Sequence, residues 1–184
     1  RVILPDGYLH GEREGNISLA EKQLQFGEII ARTIREMELV KTYIEEQNWV
    51  LDGRIGVGGT SMGGMITYAA LRSYEWIKAA VVLMGSAYVT KRIERLVNNL
   101  TNEHEKKLAA EKFAAFKAEL ASIDLTKDLS ALNERPLLIW QGAQDAVIPV
   151  EESRSFYEAA KPLYRNAANI EYIEDFIKNT GQNL

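Results

Sequence analysis

Residues 59–63 read Gly59-Thr60-Ser61-Met62-Gly63, a serine with a glycine two positions away on either side. Arg54 to Gly58, just before it, has the small and β-branched residues of a short strand, and a helical pattern starts near Met62. A serine at such a strand–turn–helix junction is in the setting of a nucleophile elbow. The tight turn would hold Ser61 in a strained backbone conformation. Gly59 and Gly63 are expected to leave room where side chains would collide with the adjoining strand and helix. The hydroxyl would then project beyond the strand end. The Met62 N–H, at the helix N-terminus, would stabilise a developing oxyanion. The bland alternative is a Gly-rich turn with an idle serine. A phosphate-cradling loop at Gly56-Val57-Gly58-Gly59 is excluded by pattern. A Walker loop closes on Gly-Lys-Ser/Thr, whereas Gly64 and Met65 stand here, and the dinucleotide pattern fails at Ser61.

The second candidate is Asp145, in Gln141-Gly142-Ala143-Gln144-Asp145-Ala146-Val147-Ile148-Pro149, directly after a strand pattern ending at Trp140. An aspartate there shares the sheet edge of the elbow and could orient a histidine and stabilise its imidazolium. The alternative is a turn-forming or capping aspartate. Histidine is scarce: the chain holds only His10 and His104, and no cysteine. Disulfides, thiolate metal sites and a cysteine nucleophile are thereby excluded. Two distant histidines make no ligand cluster, so no metal is expected, and acyl transfer at a serine needs no cofactor. His10 follows the first predicted strand and is a possible pocket-lining residue. His104 lies in Glu103-His104-Glu105-Lys106-Lys107, where the Glu103–Lys107 spacing suits an i,i+4 pair on a solvated helix face.

The elements that must position these residues follow from periodicity. Residues 1–5 read as a short buried strand ended by Pro5-Asp6-Gly7. Phe26, Ile29, Ile30, Ile34, Met37, Val40 and Ile44 form one face of a long helix over about 18–47, a core stripe. A closely packed helix covers 62–74, and Ile77 to Met84 is a buried parallel strand. Residues 90–121 read as two or three helices anchored by Ile93, Leu96, Leu100, Leu108, Phe113, Phe116 and Leu120. Pro136 to Trp140 is a strand, Glu151 to Leu163 a helix that Pro162 ends or kinks, and Ile170 to Ile173 a last strand. This alternation predicts an α/β fold, a mostly parallel sheet with helices on both faces, whose functional groups collect at the carboxyl ends of the strands.

With 184 residues, 46% hydrophobic and 26% charged, the composition fits one globular domain with an insertion. The net charge of −4 argues against a nucleic-acid or anionic-membrane partner, and no apolar run reaches the length of a membrane span. No signal peptide is visible, so the cytoplasm is the default expectation. The abrupt apolar start, Arg1-Val2-Ile3-Leu4, suggests that residues are missing upstream.

These motifs resemble the α/β-hydrolase superfamily, and within it bacterial carboxylesterases of the dienelactone-hydrolase and prolyl-oligopeptidase-like branch. The resemblance rests on Leu4-Pro5-Asp6 with His10-Gly11-Glu12-Arg13, on Gly59-Thr60-Ser61-Met62-Gly63-Gly64, and on Pro136-Leu137-Leu138-Ile139-Trp140-Gln141-Gly142 with Asp145 and Pro149. It implies a single, partial α/β-hydrolase domain over 1–184, incomplete at both termini, with residues 88–130 as a helical lid. It implies Ser61 as nucleophile, Asp145 as triad acid and Met62 as an oxyanion donor, acting on a small ester substrate. Two departures stand out. Gln141 stands where many relatives carry His. The family order is Ser, Asp, His, yet no His follows Asp145. In relatives the His follows a segment like Ile170 to Asp175, where this chain has Phe176-Ile177-Lys178-Asn179. A serine carboxylesterase whose histidine lies outside this sequence is therefore the expectation. The alternatives are a non-catalytic hydrolase-like binding protein and a peptidase or thioesterase of the same fold.

Overall fold

The computed structural model describes residues 1–176. A single 3-10 turn, Gly11–Arg13, precedes the helices α1 (Leu19–Leu24) and α2 (Phe26–Glu46). Then follow β1 (Ile55–Thr60), α3 (Met62–Ser73), β2 (Ile77–Leu83), α4 (Val89–Asn98) and α5 (Glu103–Ile123). Two short 3-10 turns lead to β3 (Leu137–Gly142), α6 (Val150–Ala160) and β4 (Ile170–Asp175). The chain forms two compact units. One comprises Arg1–Gly53 with Thr90–Ser122, the other Arg54–Val89 with the chain from Ile123 onward.

The first unit is helical. Ser18 opens α1 with a capping box, its side chain accepting from the Glu21 N–H while Glu21 reaches back to the Ser18 N–H. The single helix expected over 18–47 is broken: Gln25, at φ −105° and ψ 10°, leaves helical geometry between α1 and α2. Both pieces fit one hydrophobic period, so periodicity alone does not register the break. At Gly27, α2 meets α4 and α5, since a Cβ there would lie 3.2 Å from Leu120 and 3.8 Å from Ile93. The ion pairs Arg35–Glu119 and Lys117–Glu94 lie on the surface of these helices.

Residues 1–5, expected as a buried strand, form none. Val2 and Leu4 are 86% and 88% exposed. A strand exists through its ladder, and the four described strands pair only with one another.

The second unit is the predicted parallel α/β sheet, in the order β1-β2-β3-β4. One register line runs Gly59, Val82, Ile139, Tyr172, and the next runs Thr60, Leu83, Trp140, Ile173. Side chains at paired positions of parallel strands share a face. Val82 and Ile139 are fully buried on the face that α3 touches, for Gly64 of α3 approaches Val82. Tyr68 of α3 packs edge-on against Phe156 of α6 at 4.7 Å between ring centres, so both helices lie on that face. On the other face Val81 and Ile173 are partly exposed. Pro162 ends α6, which tightens into a 3-10 turn at Lys161–Leu163.

The opposite end of the sheet, where β2 and β3 begin, is clamped by Arg135. Its guanidinium is buried and donates to the carbonyls of Leu132, Tyr74, Ile77, Leu71 and Ala131. Leu71 lies in the last turn of α3, where carbonyls have no helical partner and a cation is favoured. The Tyr164 hydroxyl donates to the Arg135 carbonyl at 2.9 Å. Replacing Arg135 by Met would leave several buried carbonyls unpaired. Chemical denaturation should read a loss of about 3 kcal/mol. Arg135→Lys should recover only part of it, because an ammonium cannot span the fork.

Candidate active site

Ser61 leaves β1 at φ 54° and ψ −114°, a region that non-glycine residues avoid. The neighbours impose this conformation. The Ser61 N–H donates to the Leu83 carbonyl at 2.9 Å, extending the β1–β2 ladder one residue. The Ser61 carbonyl accepts from the Met65 N–H at 3.1 Å and so begins α3. One residue thus belongs to a strand through its donor and to a helix through its acceptor. Its hydroxyl forms no cap bond to the helix. The Met62 N–H belongs to the first turn of α3, whose N–H groups and helix dipole favour negative charge.

The glycines divide the steric work differently from the sequence expectation. A Cβ on Gly59 would fall on the carbonyl group of Gly63, so this glycine is required. A Cβ on Gly63 would meet nothing within 4 Å, so the expected collision at that position is absent. The second close approach is at Gly64, whose Cβ would lie 2.8 Å from Gly85 Cα, and reciprocally Gly85's would lie 2.7 Å from Gly64 Cα. The first turn of α3 therefore rests directly on the backbone that leaves β2.

Asp145 follows β3 on the same edge of the sheet as Ser61. β2 lies between their strands, giving about 10 Å between the axes of β1 and β3. Its carboxylate is held from three directions. Oδ1 accepts from the N–H groups of Val147 (2.8 Å) and Ile148 (3.0 Å), and Oδ2 accepts from Gln141 Nε2 (3.1 Å). Gln141 is fully buried, and its Oε1 accepts from the Ser153 hydroxyl of α6 at 2.9 Å. Beside it Ser86 donates to Glu152 at 2.6 Å, both side chains buried. Sequence reasoning registered Gln141 only as a departure from relatives and passed over Ser153. The available signal was a primary amide at the end of an apolar strand, a group that must find partners when buried.

His10 lies in the other unit, ahead of the Gly11–Arg13 turn. It is half-buried, with Nδ1 2.9 Å from the Tyr8 carbonyl. Its loop is knit by Asp6, which accepts from the Glu12 N–H, and by the paired bonds of Arg13 to Glu36. His104 is exposed at the start of α5, its N–H bonded to Asn102. The segment in which the resemblance leads to the expectation of a histidine runs on from Asp175; Phe176 is its last described residue, and Ile177 to Asn179 lie outside the described residues. Among the described residues no cluster of three or more His, Asp or Glu side chains could hold a metal ion. No helix among them is long and apolar enough to cross a membrane.

Two expectations follow from this geometry. Gly64→Ala should cost about 1–3 kcal/mol by overpacking, while Gly63→Ala should be neutral or stabilising by up to about 1 kcal/mol. Ser61→Gly should exceed Ser61→Ala in stability by about 1 kcal/mol, because glycine relieves the positive φ. Thermal melts of the four variants check both.

A model of the prolyl oligopeptidase family matches residues 31–176. Over 165 residues the chain is 36% identical to the YitV protein of Bacillus subtilis (strain 168), an alignment covering 89% of this chain and 65% of YitV. It is 34% identical over 168 residues to the esterase YjfP of Escherichia coli (strain K12), covering 90% of this chain and 66% of YjfP. The chain thus spans 65% and 66% of the length of these curated relatives. Among solved structures, TT1662 from Thermus thermophilus superposes with a TM-score of 0.63 at 18% identity, covering 92% of this chain and 65% of that one. The Pyrococcus furiosus esterase Pf2001 superposes at 0.57 with 21% identity, covering 90% and 57%. These likenesses show the α/β-hydrolase fold. With a match that takes in the turn at Ser61, the four described strands and the Asp145 loop, the chain belongs to the prolyl oligopeptidase family.

Proposed function

We propose that the protein is a serine hydrolase that cleaves small carboxylic esters by acyl transfer through Ser61. The observation that carries this reading is the backbone of Ser61, held at positive φ between β1 and α3 with its hydroxyl not used as a helix cap. Strain of this kind persists where the surroundings over-determine it, and it clusters at active sites. In the proposed reaction Ser61 Oγ attacks the ester carbonyl while a histidine base takes its proton. The Met62 N–H stabilises the oxyanion, Asp145 orients the imidazole, and water releases the acid. The chemistry calls for no cofactor. We assign residues 88–130 as the lid of one hydrolase domain, supported by their helical content and their insertion between β2 and β3. Carboxylic esters as the substrate class are supported by the relative YjfP, which is named an esterase. Peptide and thioester hydrolysis use the same acyl chemistry.

The second reading is a hydrolase-like binding protein without turnover, which differs from the first in whether the Ser61 hydroxyl is used as a nucleophile.

Hydrolysis of p-nitrophenyl acetate, with and without added imidazole as an external base, separates the two. The esterase reading expects a rate in excess of the protein-free imidazole blank, an excess that saturates with imidazole and vanishes in Ser61→Ala. Asp145→Asn should lower that rate by orders of magnitude; a near-normal rate would move the acid elsewhere, with Asp175 next. Equal rates for the parent and Ser61→Ala at every imidazole concentration would reject the esterase and leave the binding protein.

A further inference from the structure

We propose that Gln141 is a positioning residue for the acid: its carboxamide locks the Asp145 carboxylate so that Oδ2 is the oxygen offered to the imidazole. The inference deepens the reading of Asp145 as acid and rests on it.

The amide has one workable orientation. Gln141 Nε2 faces Asp145 Oδ2 at 3.1 Å and the Ile148 carbonyl at 3.2 Å, both acceptors without a proton. A reversed amide would set its oxygen against both, so the NH₂ group must point there. Oε1 then receives the Ser153 hydroxyl at 2.9 Å. The side chain is fully buried, so no water competes for these bonds. Asp145 is thereby differentiated. Two backbone N–H groups occupy Oδ1, one for each lone pair. Oδ2 takes a single proton from Gln141 and keeps one acceptor site. Because Nε2 also holds the Ile148 carbonyl, one side chain ties the carboxylate to the far end of its own loop. Rotation of the carboxylate then breaks bonds at both oxygens.

Gln141→Met keeps length and bulk and removes the donor; Ser153→Ala removes the hydroxyl that donates to the amide oxygen. Two readouts decide. Amide hydrogen exchange at Val147 and Ile148, the donors to Oδ1, should quicken about tenfold in Gln141→Met, with Val82 and Ile139 unchanged as controls. The imidazole-saturated kcat for p-nitrophenyl acetate should fall about tenfold at unchanged ester KM, the mark of an interaction made in the transition state. Ser153→Ala should shift both in the same direction by less. Unchanged exchange at Val147 and Ile148 overturns the proposal. Faster exchange with unaltered kcat also overturns it, reducing Gln141 to a staple of the loop. Faster exchange beside a parent without any Ser61-dependent rate overturns it through the acid reading on which it rests. If Val82 also loses protection in Gln141→Met, the fold itself has failed, and Ser153→Ala decides by the same two readouts.

Discussion

Backbone touching backbone at the head of α3 is the constraint on which the sheet edge depends. Gly59 lets the end of β1 lie against Gly63, and Gly64 with Gly85 lets the first turn of α3 rest on the chain leaving β2. With α3 seated this closely, no relaxed path connects Thr60 to Met62, and the residue between them takes positive φ. Strain of this size, about 1–3 kcal/mol, survives because the rest of the helix is anchored. Tyr68, Ala69, Ala70 and Leu71 are all buried, and a shift at the turn would drag them from their packing. Local discomfort at Ser61 is thus sustained by apolar burial several residues along.

The two candidate groups on this edge are held by different physics. Ser61 is fixed sterically, by absent side chains and two backbone bonds. Asp145 is fixed by polar groups: two loop N–H groups, the Gln141 amide behind them, and Ser153 behind that. The Gln141 amide and the Ser153 hydroxyl each have their donors answered in that chain, which makes a polar cluster rigid rather than costly. The steric site tolerates little change in volume, whereas the polar site tolerates little change in hydrogen-bond sense.

Much of this was legible in residue order. The strand–turn–helix at Ser61, the parallel sheet and the position of Asp145 after β3 follow from local pattern, since Gly59 to Gly63 and the run Leu137 to Gly142 carry their meaning within a few residues. What escaped depends on partners far along the chain. The turn pattern assigns the steric requirement to Gly59 and Gly63 and does not single out Gly64, because the partner of Gly64 is Gly85, brought near by folding. Gln141 looked like a mere substitution because Ser153 lies one helix away. The apolar run at 1–5 read as a strand, although strand formation is decided by a ladder partner that composition does not reveal. The break at Gln25 left the hydrophobic period intact and so left no trace in it.

The Arg135 clamp has a bearing on how the protein meets changes of solution. Its positive charge is met at hydrogen-bond distance by main-chain carbonyls, while the Glu75 carboxylate attracts it only at longer range. Added salt and acid therefore act on that long-range attraction and leave the carbonyl bonds in place. The surface carboxylates differ. Glu36 beside Arg13, Glu174 beside Arg154 and Asp128 beside Ser130 are held below the usual carboxylate range by those hydrogen bonds. Their contribution is present above the unfolded value and is lost as pH falls through the folded one. Acidification should thus release these exposed ties first, while the end of the sheet remote from Ser61 keeps its clamp in brine and in acid alike.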